Sequence, residues 1–171
     1  MRTEDSRELR TADPREPRTM DHGRLGIFLA VSLFVGVSTI EELRAWQLTR
    51  AFKLEVYRLI RESPDGRADY RFKSQLADAA ASGESNIAEG FRRFHAGDFT
   101  RFLTYAGASI EEATRRVQDG IDRGYFGEVD CRSALRLGVE AGKTTMALRT
   151  SVARFIPPRH GSKRGLRTED C

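Results

Sequence analysis

Hydrophobic positions recur every three or four residues from about Glu41 to Phe155, and no alternating, strand-like stretch competes with that period. The first run, Glu41 to Glu62, places Trp46, Phe52, Val56, Leu59 and Ile60 on one side of a helix. The stretch SPDG, Ser63 to Gly66, is a turn signal. Asp69 is then placed to cap a second helix that continues to about Arg93, with Phe72, Leu76, Ala79, Ala80, Gly83, Ile87 and Phe91 as its stripe. His95-Ala96-Gly97 interrupts the pattern, and Asp98 is the expected cap of a third helix. That helix has the most regular seam: Phe99, Leu103, Ala106, Ile110, Ala113, Val117 and Ile121, in steps of 4, 3, 4, 3, 4 and 4. The steps approach a coiled-coil period. The stretch RGYFG, Arg123 to Gly127, closes it. A fourth helix, Glu128 to Phe155, carries Leu135, Val139, Met146, Val152 and Phe155, and Pro157-Pro158 stops it.

Four helices of about 33–42 Å each, at ~1.5 Å rise per residue and joined by short loops, predict an all-α, antiparallel up-down four-helix bundle over residues 41–156. Residues 1–24 are polar and rich in Arg, Asp and Glu, with Pro14 and Pro17 and no apolar period. That is the composition of a disordered segment. The apolar run Leu25 to Ile40 falls short of the ~20 residues that a membrane span needs. No Ala-x-Ala-like cleavage site follows it. Residues 1–40 are therefore expected to be an extension outside the bundle, set against the alternatives of an added interface helix or a signal segment. Residues 157–171 form a basic, glycine-containing tail, expected to be flexible.

Composition adds little to this outline. The net charge is +4 over 171 residues, and the excess leans toward the C-terminal tail. Nucleic-acid contact is compatible with that balance, but the balance alone is weak support. The two cysteines, Cys131 and Cys171, do not make a disulfide framework and point to a reducing, cytoplasmic compartment. No Cys/His cluster has zinc spacing. Each of His22, His95 and His160 lacks a Glu three residues before it, so the Glu-x-x-His pairs of dimetal bundles are missing. The stretch GVEAGKTTM, Gly138 to Met146, is one residue too short between its glycines for a phosphate loop and has no strand before it. The expectation is a protein that is not an enzyme, with no catalytic residue, metal, cofactor or small-molecule substrate.

One segment breaks the helical composition. SGESNIAEGFRRF, Ser82 to Phe94, holds two glycines, two serines and an asparagine inside the second helix. Glycine in a helix interior costs about 1 kcal/mol relative to alanine. On a helical wheel Gly83, Ile87 and Gly90 fall on the core face, with Asn86 at its edge and Ser82, Glu89 and Arg93 on one flank. The reading preferred to a ligand site is close packing of a neighbouring helix, with Asn86 hydrogen-bonding across the contact to fix its register and Glu89 pairing with Arg93.

These residues also carry a resemblance. Gln75 to Glu112, QLADAAASGESNIAEGFRRFHAGDFTRFLTYAGASIEE, resembles the signature of the four-helix-bundle family named for the intervening sequence of bacterial 23S rRNA, above all in Ser85, Asn86, Glu89 and Gly90 of SNIAEG and in the FTRFL that follows. Leu43 to Ile60 is similar to the family's first helix. The match covers about residues 41–125 well and the fourth helix more loosely. Gly83-Glu84 departs from the apolar residue and frequent proline of the family pattern, and residues 1–40 have no counterpart. The resemblance implies a four-helix bundle and ring-like homo-oligomers, notably pentamers. It also implies kinship with accessory proteins of diversity-generating retroelements, which bind nucleic acid and a reverse transcriptase.

Two functional surfaces follow from the residues. Arg92, Arg93, His95 and Arg101 surround the turn between the second and third helices, and Arg115, Arg116 and Arg123 follow along the third. Clustered arginines suit phosphate contact with RNA or DNA. The plainer account pairs them with Glu89, Asp98, Glu111, Glu112 and Asp119. The third helix also shows a second, half-apolar flank of Phe102, Tyr105, Ser109, Glu112 and Arg116. Such a flank suits a subunit contact or a protein partner.

Overall fold

The computed structural model describes residues 37–93 and 95–156. The expectations for the extension up to residue 36, for the tail from residue 157, and for His22, His160 and Cys171 lie outside those residues. A 3-10 turn at Ile40–Glu42 leads into α1 (Arg44–Glu62), followed by the short α2 (Pro64–Ala68), α3 (Tyr70–Arg92), α4 (Ala96–Asp122) and α5 (Glu128–Ala153). The four long helices pack antiparallel as an up-down bundle, with α1 between α3 and α5, and α4 between the same two on the other side.

Local chemistry moves several boundaries. The first helix starts at Arg44 rather than Glu41. Ahead of it, the Glu42 carboxylate folds back to accept from the backbone N–H of Ser38 at 2.6 Å and of Thr39 at 3.4 Å, which holds residues 40–42 in a tighter turn. SPDG is more than a turn. The Ser63 hydroxyl accepts from the Gly66 N–H at 2.9 Å and Pro64 sits at the first helical position, so one further helical turn, α2, forms. Asp69 caps α3 as expected, accepting from the Phe72 N–H at 3.0 Å. Asp98 does not cap α4. The cap is His95, whose Nδ1 accepts from the Gly97 N–H at 3.2 Å. Ala96, the first residue of the helix, is buried. Asp98 lies in the first turn and pairs with Arg101 at 3.2 Å.

The predicted seam of α4 is the observed one: Phe99, Leu103, Ala106, Ile110, Ala113 and Val117 are all buried, with Ile121 partly so. The fourth helix is different. Val139 and Met146, expected inside, are 50% and 43% exposed. Its core face is Cys131, Ala134, Gly138, Ala141, Thr145 and Val152. At Gly138 both neighbouring helices press in: a Cβ there would run into Thr114 Oγ1 of α4 and lie 3.1 Å from the Phe52 ring of α1. Two apolar clusters result. One gathers Phe52, Val56, Phe72, Leu76, Ile110, Val117 and Phe126, and the other gathers Leu43, Ile87, Phe99, Leu103 and Val152. Each large side chain so buried contributes about 1.5–3 kcal/mol.

Candidate nucleic-acid interface

The segment Ser82 to Arg92 forms the last three turns of α3, with Arg93 as its C-cap, and its glycines are contact points. A Cβ on Gly83 would stand 3.0 Å from Ile110 Cγ1 of α4 and 3.2 Å from Thr49 Cγ2 of α1. On Gly90 it would stand 2.6 Å from Phe102 Cβ and 2.9 Å from the Phe99 ring. Both positions thus admit a neighbouring helix closer than alanine would. Asn86 does not bridge helices. Its amide donates to the Ser82 carbonyl at 2.8 Å within α3. Glu89 pairs with Arg93 as expected, at 2.5 Å. Ser85 is exposed.

The polar group that does bridge helices is Glu84, which sequence reasoning missed as a site. Its carboxylate is nearly buried and receives Arg50 Nη1 at 3.1 Å and Lys53 Nζ, both from α1. Arg50 also lies over the Trp46 ring at 5.4 Å, and Lys53 over Tyr57 at 5.9 Å. These partners stand more than thirty residues from Glu84 along the chain, so no local spacing could signal them.

The candidate phosphate contacts divide into two groups. Arg115 pairs with Glu111 at 2.6 Å, and Arg116 pairs with Glu112 at 2.8 Å while donating to Gln75 at 2.8 Å. Arg123 pairs with Asp119 at 2.9 Å. Along α4, therefore, each arginine is matched by an acid one turn before it. At the α3–α4 turn Arg93 and Arg101 are paired in the same way, with Glu89 and Asp98, but an aromatic ring joins them. Arg93 and Arg101 both stack on Phe102, with their guanidinium carbons 5.4 and 5.9 Å from its centroid. Arg92 is exposed, and among the described residues no acid pairs with it. Arg92, Arg93, Arg101 and the His95 cap thus form a basic and aromatic patch. Exposed ion pairs such as Arg93–Glu89 are worth at most about 1 kcal/mol and can exchange for a phosphate.

Cys131 offers no nucleophile. It is fully buried, and burial pushes its thiol up to about 11, so it stays protonated at neutral pH. Among the described residues, no cluster of His, Cys, Asp or Glu could hold a metal ion, and no helix is long and apolar enough to cross a membrane.

An antiparallel four-helix bundle, tightened by glycine contacts on α3 and carrying a basic turn at one end, defines a class of small helical proteins rather than an activity. Within that class the assignment is specific. The family model described as 23S rRNA-intervening sequence protein matches residues 41–146, more than half the chain, and the chain belongs to that family. No curated protein matches it.

Proposed function

We propose that this chain is a non-enzymatic bundle that works as a homo-oligomer, in the ring-like, pentameric manner its family implies, and takes nucleic-acid phosphates at the α3–α4 turn. The observation that carries the reading is the turn itself. Arg92 has no acid among the described residues, and Arg93 and Arg101 flank the half-buried ring of Phe102. Guanidinium groups and an aromatic face are the parts that backbone contact and base stacking use. The half-apolar flank supports self-association: Tyr105 on α4 is 49% exposed, and on α5 Val139 and Met146 are exposed as well. Met146 lies against α4, since a Cβ on Gly107 would be 3.1 Å from its sulfur.

The test is fluorescence anisotropy with short RNA and DNA strands over a salt series. Affinity should fall steeply as salt rises, and replacing Arg92, Arg93 and Arg101 together by alanine should weaken it at least about tenfold. Affinity indifferent to salt would sink the reading. Light scattering at micromolar concentration checks the oligomer, and a strict monomer would remove that half of it.

A second reading makes the chain a scaffold or accessory subunit for a protein partner such as a reverse transcriptase. It is favoured by the pairing of Arg115, Arg116 and Arg123 with acids on α4 and by exposed apolar side chains nearby on α4 and α5, Tyr105, Val139 and Met146 among them. Substituting lysine at Tyr105 and Met146 would then abolish partner capture without changing strand affinity.

A further inference from the structure

Between the start of α1 and the end of α3 lies a cleft of about 240 Å³. Trp46 and Phe91, both half-buried, supply its aromatic walls, and Glu41, Glu84, Ser85 and Arg92 supply its polar groups. Glu84 is spent on Arg50 and Lys53. The Glu41 carboxylate and the Arg92 guanidinium are not: among the described residues neither has a side-chain partner. The one bond recorded at Glu41 is made by its backbone carbonyl, which accepts from Gln47 Nε2 at 2.7 Å.

We propose that this cleft receives one unpaired nucleobase of a single strand, guanine by preference, stacked on its aromatic walls, with the Glu41 carboxylate on the base edge and Arg92 on the adjoining phosphate. This rests on the nucleic-acid reading of the turn and narrows it to single strands. The volume falls below the ~300–1,000 Å³ of drug-sized ligand pockets, which suits a group the size of one base. Single-stranded recognition works by splaying a base onto an aromatic or guanidinium plane and hydrogen-bonding its Watson–Crick edge. A carboxylate only accepts, so it selects an edge with N–H donors, and guanine offers two side by side. An apolar peptide side chain fits less well, because it would desolvate the unpaired charges of Glu41 and Arg92 without satisfying them. The path is continuous: Arg92 lines the cleft, and its neighbour Arg93 begins the stack on Phe102 at the turn.

Trp46 is the single tryptophan of the chain, so intrinsic emission reads this cleft directly. The experiment titrates the full-length protein with three probes: an oligothymidylate carrying one central guanine, the plain oligothymidylate, and a duplex of the same length. Emission and anisotropy are followed together. The guanine-bearing strand should quench Trp46 and bind about tenfold tighter than either other probe, in line with the discrimination that one doubly hydrogen-bonded base edge supplies. Glu41→Ala should erase the guanine preference while leaving strand binding. Arg92→Ala should weaken both strands. Circular dichroism confirms that these variants, both at exposed positions, stay folded. Salt-sensitive binding in which the duplex equals the single strand, or in which Trp46 emission is unmoved, would overturn the cleft and leave the turn's phosphate contact standing. No salt-sensitive binding by any probe would overturn both.

Discussion

The two ends of α3 are built from the same ingredients, namely phenylalanines, an arginine beside an aromatic ring, and an acid, and they use them differently. At the N-terminal end the acid is Asp69, and it is fully engaged. One oxygen accepts from the Phe72 N–H at 3.0 Å, while the other accepts from the Tyr125 hydroxyl at 3.1 Å and lies 3.8 Å from Arg123. Phe72 meets Tyr125 edge-on at 5.1 Å and Phe126 at 5.8 Å, with Arg123 over its face at 5.7 Å. Every group there ties the α4–α5 turn to α3. At the C-terminal end Phe91 and Phe99 meet edge-on at 6.2 Å, but the acid is Glu89, half-exposed and on the same helix, and among the described residues Arg92 has none. The macrodipole accounts for the asymmetry. A helix start attracts a carboxylate, and a helix end tolerates an unmatched cation in its last turn. One end of the helix closes the bundle, and the other leaves Arg92 without an acid among the described residues.

The comparison breaks most sharply if the closing end is hollowed out. Phe72→Ala should cost about 3–5 kcal/mol of unfolding free energy in a urea titration, from lost burial and from the cavity left under Tyr125 and Phe126. A loss below about 1 kcal/mol would mean that this end is not a keystone.

Gly90→Ala probes the other end. The new methyl meets Phe102 at its Cβ, an atom close to the backbone that cannot swing aside, so α3 and α4 must separate. Overpacking of this kind costs about 1–3 kcal/mol, and alanine returns up to ~1 kcal/mol of helix propensity. A net loss of about 1–2 kcal/mol is expected, together with weaker strand binding as Phe102 shifts beneath Arg93 and Arg101. A stabilised variant would show that the glycine is not a packing device.

Glu84, toward the middle of the helix, tests the tie between α3 and α1. Glu84→Gln should cost about 1–3 kcal/mol, since it leaves the poorly exposed Lys53 without its counter-charge. Adding Lys53→Met should recover part of the loss, and a double-mutant cycle measures the coupling. Strictly additive effects would show that the pair does not act as a pair.

How far these features were legible depends on how local their causes are. The α4 seam could be read because large side chains recur at helical steps with nothing to compete. The Asp69 cap could be read because its acceptor and donor lie three residues apart. The inner face of α5 could not, because Gly138 is small in answer to Thr114 and Phe52 on other helices, while the residues with the stronger apolar signal, Val139 and Met146, point outward. The Glu84 pairs and the Trp46–Phe91 cleft were invisible for the same reason: each joins α1 to α3. Gly83 and Gly90 were recognisable as packing positions from their place on the wheel, but the bond Asn86 makes was not, since the orientation of a side chain at the edge of a face is decided by what lies beside it.

The smallest effect expected is the pH dependence of the closing end. The backbone N–H of Phe72 is the largest influence holding the Asp69 carboxyl below its ordinary value, with the Tyr125 hydroxyl and the Arg123 charge adding to it and partial burial opposing. A folded-state value below the unfolded value of about 3.9 means that the carboxylate contributes stability above about pH 4. That contribution is lost as pH falls through the lower folded value. Asp69→Asn keeps an amide oxygen to cap α3 but removes the charge. The melting temperatures of the two proteins, followed by circular dichroism from pH 7 to about pH 2.5, should therefore run parallel at a constant gap above about pH 5 and converge below about pH 4. Curves that stay parallel into acid would show that Asp69 titrates as it does in the unfolded chain. The closing end would then rest on its rings and its cap alone, and the charge contrast between the two ends of α3 would disappear.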